Sequence, residues 1–102
     1  MDLSEAKHLQ VELDAASLLL LEAAALIESR GKCEGDYERG GRLCALGALN
    51  VAAGGRAREF AAGTIVARLR LADRVLNIPY WNDHSSAAEV VAKMRDVAMG
   101  RA

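Results

Sequence analysis

Apolar residues recur at every third or fourth position through the first thirty residues, with Leu3, Ala6, Leu9 or Val11, Leu13, Ala16, Leu20, Ala23 and Ile27 falling on one face of a helix. Around residue 18 that face widens. Leu18, Leu19, Leu20 and Leu21 place aliphatic carbon on the whole circumference, which a helix with a solvent-facing side does not need. The pattern predicts either a central helix covered by the others or a helix with one side covered by a second copy of the chain. In the second case Leu18, Leu19 and Leu21 are the dimer-contact residues. Asp14 offers an N-cap inside the stretch, so residues 3–29 read as one helix or as two with a bend at 13–17. Arg30 and Gly31 supply a basic last turn and a terminating glycine.

The helical pattern then stops for eleven residues. Positions 31–41 hold four of the nine glycines and one of the two cysteines, and glycines at that density mark turns or close approach rather than a helix interior. Residues 42–53 resume the pattern through Leu43, Ala45, Leu46, Leu49 and Val51, with Gly54-Gly55 as the stop and Gly47 read as permitting a close helix contact. A third helical region covers 56–76, divided at Gly63-Thr64, with Thr64 capping a helix over 65–76 and Asn77-Ile78-Pro79 ending it. Residues 80–84 read as a loop. Ser86-Ala87-Ala88-Glu89 has the form of a capping box, and Val90, Val91, Met94, Val97 and Ala98 continue a helix to Met99, with Gly100 as its stop.

A chain of 102 residues makes one domain, and residues 2–13 read as a local N-terminal extension of it. Ala and Leu dominate the apolar half, with one Phe, one Trp, two Tyr and one Pro. That mixture favours helix over strand, so the expected fold is all-α, a compact bundle of four to five helices with the glycine-rich loop between the first and second helical regions.

The net charge of −1 gives no global bias toward nucleic acid or anionic lipid, but the charge is unevenly placed. Residues 1–38 carry nine acids against three bases and residues 39–102 five against ten, so the halves are −6 and +5. Acidic and basic surfaces that complement each other within one monomer are the expected outcome. The longest apolar run, residues 15–27, contains Ser17 and Glu22 and falls short of the ~20 residues of a bilayer span, so no membrane role is expected. The opening Met1-Asp2-Leu3-Ser4-Glu5 is acidic where a secretory leader is basic, and two cysteines are too few for a disulfide scaffold. A cytoplasmic protein is expected.

The order of these segments resembles a known family. The helix at 18–29 with its following glycine, the Gly31-Lys32-Cys33-Glu34-Gly35 loop, the run Leu43-Cys44-Ala45-Leu46-Gly47-Ala48-Leu49, Trp81-Asn82-Asp83 and the cap before Ala88-Glu89-Val90 are together similar to a small helical domain of unknown function from actinobacteria and their bacteriophages. The resemblance spans about residues 14–99 and excludes the acidic stretch at 2–13. It implies a cytosolic actinobacterial or phage origin, hence the host cytoplasm if the chain is phage-encoded, and carries no activity or cofactor.

Candidate chemistry is sparse. Cys33, Cys44, His8 and His84 reach the four ligands of a zinc site in number but lack any paired spacing, so neither metal nor cofactor is expected. Cys33, His84, Asn82 and Asp83 supply the parts of a cysteine nucleophile, base and orienter without a motif to assemble them. Cys44 reads as a small buried hydrophobe and Cys33 as an exposed loop thiol. A disulfide between them requires the loop to fold back onto the second helix. Tyr80, Trp81, Asn82, Asp83 and His84 gather the only Trp, one Tyr and one His, either as a lid on an Ala/Leu core or as a partner-binding anchor. Arg56, Arg58, Arg68, Arg70 and Arg74 form a basic run in which Arg70 and Arg74 share a helix face. The leading expectation is a non-enzymatic protein-interaction domain that self-associates and, as a phage or accessory factor, acts on a host protein. Nucleic-acid binding through the arginine run is the alternative, and a small cysteine-dependent enzyme the third reading.

Overall fold

The computed structural model describes residues 13–101, and among them the fold is an all-α bundle with one two-stranded ribbon. The first helix, α1, spans Ala15–Arg30. Asp14 is extended (φ −75°, ψ 179°) and its Oδ1 accepts the amide of Ser17 at 3.0 Å, so α1 begins there. Of the two readings of 3–29, one helix or two, the single continuous helix is excluded by this start at Ala15; the apolar periodicity expected before it lies outside the described residues, apart from Leu13. At the other end Gly31 turns the chain at φ 95° while its amide closes on the Ile27 carbonyl at 2.8 Å.

Residues 31–44 are more ordered than a loop reading allows. Strand β1 (Glu38–Arg39) pairs antiparallel with β2 (Arg42–Leu43), and Gly40-Gly41 between them take φ 59° and 84°, the signature of a two-residue type I′ hairpin turn. Leu43 also forms a parallel bridge with Lys32. The second helix, α2, is therefore shorter than expected, Ala45–Ala52, because Arg42 and Leu43 are drawn into the ribbon and Cys44 becomes its cap.

A 3₁₀ turn at Arg56–Arg58 leads to α3 (Ala62–Val75). Thr64 does not cap this helix. It lies within it, 1% exposed, its hydroxyl without a hydrogen-bond partner, while the cap position is Ala61 and lacks a side-chain bond. After α3 the chain reverses at Leu76 (φ 68°, ψ −72°), where the Asn77 amide donates to the Val75 carbonyl at 2.9 Å, a strained classic γ-turn. Asn77 then caps α4 (Ile78–Asp83), its Oδ1 accepting from Tyr80 N at 2.9 Å, with Pro79 in the first turn where a missing N–H costs nothing. The segment expected as a loop around Trp81 is thus a short helix. Ser86 and Glu89 form the expected capping box at 3.1 and 3.0 Å, opening α5 (Ala87–Ala98); the helix stops at Ala98, with Met99 as the cap and Gly100 following at φ 69°.

Helix α1 is central, packed against α5, α2, α3 and β2. Its buried line of Ala16, Ser17, Leu20, Ala23, Ala24 and Ile27 is mostly small, which lets neighbouring helices approach closely. Leu43, Leu49, Leu71, Val90 and Met94 fill the space around it. Leu19 and Leu21 are half-buried against this core, and Leu18 is 50% exposed. The aliphatic girdle is accordingly accounted for mainly inside one chain.

Candidate functional site

The irregular backbone at 31–44 and the short helix α4 meet at the start of α2, and Asn82 joins all three. It is 1% exposed; its Oδ1 accepts from the Ala45 amide at 3.0 Å, and its Nδ2 donates to the Cys33 carbonyl at 2.9 Å and to Asp83 Oδ1 at 3.1 Å. The carboxamide is the side chain that can serve an orphan helix amide and a loop carbonyl together. Lys32 adds a second tie: its side chain is 5% exposed, and its ammonium donates to the Asn82 carbonyl at 2.7 Å and to Glu34 Oε1 at 2.6 Å. Gly35 N reaches Asp83 Oδ1 at 3.4 Å.

Gly47 explains why the loop can lie so close. A Cβ there would overlap the Tyr37 carbonyl, so the position accepts only glycine while the loop is seated. The close contact expected at Gly47 exists, but its partner is loop backbone rather than another helix. Between the loop, the start of α2 and α4 lies a cleft of about 470 Å³ with Leu46, Ile78 and Pro79 as apolar wall and Asp36, Cys44 and Asp83 as polar groups.

The thiols depart from their expected environments, Cys33 fully and Cys44 in part. Cys33 is buried, 5% exposed, because its loop folds back, and its Sγ donates to the Asp36 carbonyl at 3.3 Å. Cys44 is half-buried at the cleft, and its Sγ accepts the Gly47 amide at 3.3 Å as the N-cap of α2. Burial pushes both thiols above their ordinary value, the opposite of an activated nucleophile. His84 stacks on Tyr80 with ring centroids 4.0 Å apart, and its Nδ1 lies 2.8 Å from the Tyr80 carbonyl, so Cys33 and His84 are not hydrogen-bonded to each other. Of the five consecutive residues at 80–84, then, Asn82 is a buried connector, Trp81 packs half-buried on the core, and Tyr80, Asp83 and His84 are exposed. Among the described residues no cluster of three His, Cys, Asp or Glu is placed to hold a metal; His8 lies outside them.

The arginine run is dispersed. Arg70 makes a paired contact with Asp14 at 2.9 and 2.6 Å, and this, with the Ser17 amide, holds the Asp14 carboxyl far below the usual carboxylate range. Arg74 donates to the Arg101 carbonyl at 2.7 Å, Arg68 donates to the Glu59 carbonyl at 3.1 Å, and Arg56 lies 4.8 Å over the Tyr37 ring. Arg58 is exposed.

The surface that sequence reasoning missed is on α3. At about 100° per residue, Ala62, Ile65, Val66 and Leu69 share the outward side of that helix with one charged residue, Asp73, whereas Arg68, Arg70 and Arg74 fall to its flanks. Phe60 (73% exposed) precedes this side, Leu69 (63%) is at its centre and Leu76 (87%) follows it. A shallow groove of about 330 Å³ runs from Leu69 and Leu76 to Ile78 and Pro79. The signal was present in the spacing of residues 62, 65, 69 and 76, but the sequence reading of 56–76 attended to its arginines and to Thr64 as a cap and assigned the region no apolar face.

No curated protein and no solved structure matches this chain at a significant level. A family model does, the Family of unknown function (DUF6197), over residues 12–99. The match begins two residues before the Asp14 cap and ends one residue past α5, taking in the loop, Asn82 and the α3 face, and the chain belongs to that family.

Proposed function

We propose that this domain is a non-enzymatic module that acts by protein contact and self-associates, with the outward side of α3 as its principal contact surface. The observation that carries the reading is the run of exposed apolar side chains Phe60, Ile65, Leu69 and Leu76, beside which Asp73 is the one charged residue on the outward side of α3. The strained γ-turn supports it, since strain of about 1–3 kcal/mol is retained where the conformation is used, and here it holds a leucine out in solvent. Leu18, half-exposed on α1, is a second and smaller contact, with the half-buried Leu19 and Leu21 beside it, and the stacked, exposed Tyr80 and His84 on α4 are a third. A phage-encoded or accessory factor that engages a host protein in the host cytoplasm is the setting this reading fits. Nucleic-acid binding gains no support from the arginines, three of which are committed to contacts within the chain.

Sedimentation velocity across a wide concentration range tests the proposal. The wild-type chain is expected to shift to a dimer, Leu69→Glu to remain monomeric with unchanged circular dichroism, and Leu18→Glu to weaken association less. A wild-type chain that stays monomeric throughout rejects self-association, and dimerisation lost in Leu18→Glu but kept in Leu69→Glu moves the contact to α1.

A further inference from the structure

The parallel bridge between Lys32 and Leu43 fixes the register of the loop against the start of α2: Leu43 N donates to the Gly31 carbonyl at 3.0 Å and Cys33 N to the Leu43 carbonyl at 3.2 Å. The Cys33 amide is thus bonded to the carbonyl that immediately precedes Cys44, which makes the two cysteines neighbours across this bridge, and the Asn82 carboxamide takes the next rung between the Cys33 carbonyl and the Ala45 amide. Neighbours in register on adjacent strands project their side chains to the same face, with backbones about 5 Å apart. That is inside the Cα separation of roughly 4.4–6.8 Å that a disulfide spans. The loop also returns over this pair, since Cys44 N donates to the Tyr37 carbonyl at 3.1 Å. The contacts of both sulfurs are weak ones: Cys33 Sγ donates to the Asp36 carbonyl and Cys44 Sγ accepts the Gly47 amide.

We infer that Cys33 and Cys44 are a redox modification site, closed to an intramolecular disulfide by a low-molecular-weight disulfide such as oxidised glutathione. The half-buried Cys44 lines the cleft and is the thiol a reagent can reach, whereas Cys33 is covered. In the first step the Cys44 thiolate attacks one glutathione sulfur, the glutathione S–S bond breaks, and one glutathione thiolate leaves. In the second the Cys33 thiolate attacks Cys44 Sγ, expelling the second glutathione thiolate. The two protein thiols lose two electrons and two protons, and one glutathione disulfide becomes two thiols. Burial holds both thiols above their ordinary value, so the reaction accelerates as the pH rises. The closed form ties the loop covalently to the first turn of α2 and fixes one wall of the cleft independently of any contact on α3.

The test is incubation of the full, reduced chain with oxidised glutathione at mildly alkaline pH, followed by intact-mass measurement and peptide mapping. The expected product is lighter by two hydrogens and yields a linked Cys33–Cys44 peptide. Its glutathione adduct should resolve at least about tenfold faster than in the same chain unfolded by guanidinium, because folding raises the effective concentration of the second thiol. Cys33→Ser should stop at a stable glutathione adduct on Cys44. A persistent adduct on wild-type Cys44, disulfides between chains, or two free thiols surviving in the native protein while the unfolded chain oxidises would each overturn the assignment. The overturning readouts are all made on the wild-type chain, so they stand even if Cys33→Ser fails to fold.

Discussion

Asn82 concentrates more of the fold's specificity than any other side chain in the cleft region, since one carboxamide serves the first amide of α2 and the carbonyl of Cys33. Removing it leaves two buried backbone groups unpaired, at about 1–3 kcal/mol each. Asn82→Ala is expected to cost roughly 2–4 kcal/mol in a urea titration and to raise amide exchange at Ala45 and in the loop ahead of the rest of the chain. Asn82→Asp keeps the acceptor but buries a carboxylate with one oxygen facing the Cys33 carbonyl and Asp83 Oδ1, and should cost at least as much as Asn82→Ala. The sequence placed this residue in a turn or an aromatic anchor, because its partners lie 37 and 49 positions away and no local pattern reports them. The burial of Cys33 has the same origin: a loop folded back through the Lys32–Leu43 bridge buries what sequence alone reads as exposed.

At the level of elements, what local chemistry controls was legible and what tertiary pairing controls was not. The Ser86 capping box, the Gly31 stop and the Asp14 cap are decided by side chains within three or four positions, and each is found where the pattern places it. The boundaries of α2 and α3 shift because Leu43 is taken by the ribbon and Thr64 by the core, choices made by contacts distant in sequence. Helix α1 also carries a pH dependence. Asp14 is held low first by the Arg70 hydrogen bond and then by the Ser17 amide, and Glu28 is held low by Arg95. Both folded-state values lie below the unfolded ones, so this stabilisation is complete above the ordinary carboxylate range. It is lost as the pH falls below about 4. Asp14→Ala is expected to lower stability by about 1–2 kcal/mol at neutral pH, as for other lost N-caps. The difference from wild type should shrink on acidification, as followed by thermal melts between neutral pH and pH ~3.

Across the whole molecule, the charge asymmetry along the chain is partly reconciled within it: Asp14 pairs with Arg70 and Glu28 with Arg95, each joining the acidic first part to the basic second part. Central placement of α1 likewise covers Leu19, Leu20 and Leu21, leaving the α3 side as the larger apolar surface without a neighbour among the described residues. Stability and association should therefore separate at Leu76. Leu76→Gly relieves a backbone conformation that disfavours any side chain and removes an exposed one, so its melting temperature should rise by an amount equivalent to about 1 kcal/mol. Its dimer should at the same time weaken in sedimentation. A variant less stable than wild type would mean that the leucine supports the fold rather than a contact.

The seat of Tyr37 on Gly47 sets a rule for how this family can vary. Gly40 and Gly41 have open space around them and need only their positive φ, so asparagine or aspartate can stand in at either. Position 47 has ordinary helical backbone yet no room for a methyl group. A saturation library scored for soluble expression should therefore recover several residue types at 40 and 41 and glycine alone at 47, making the mid-helix glycine, and not the pair in the bend, the invariant one.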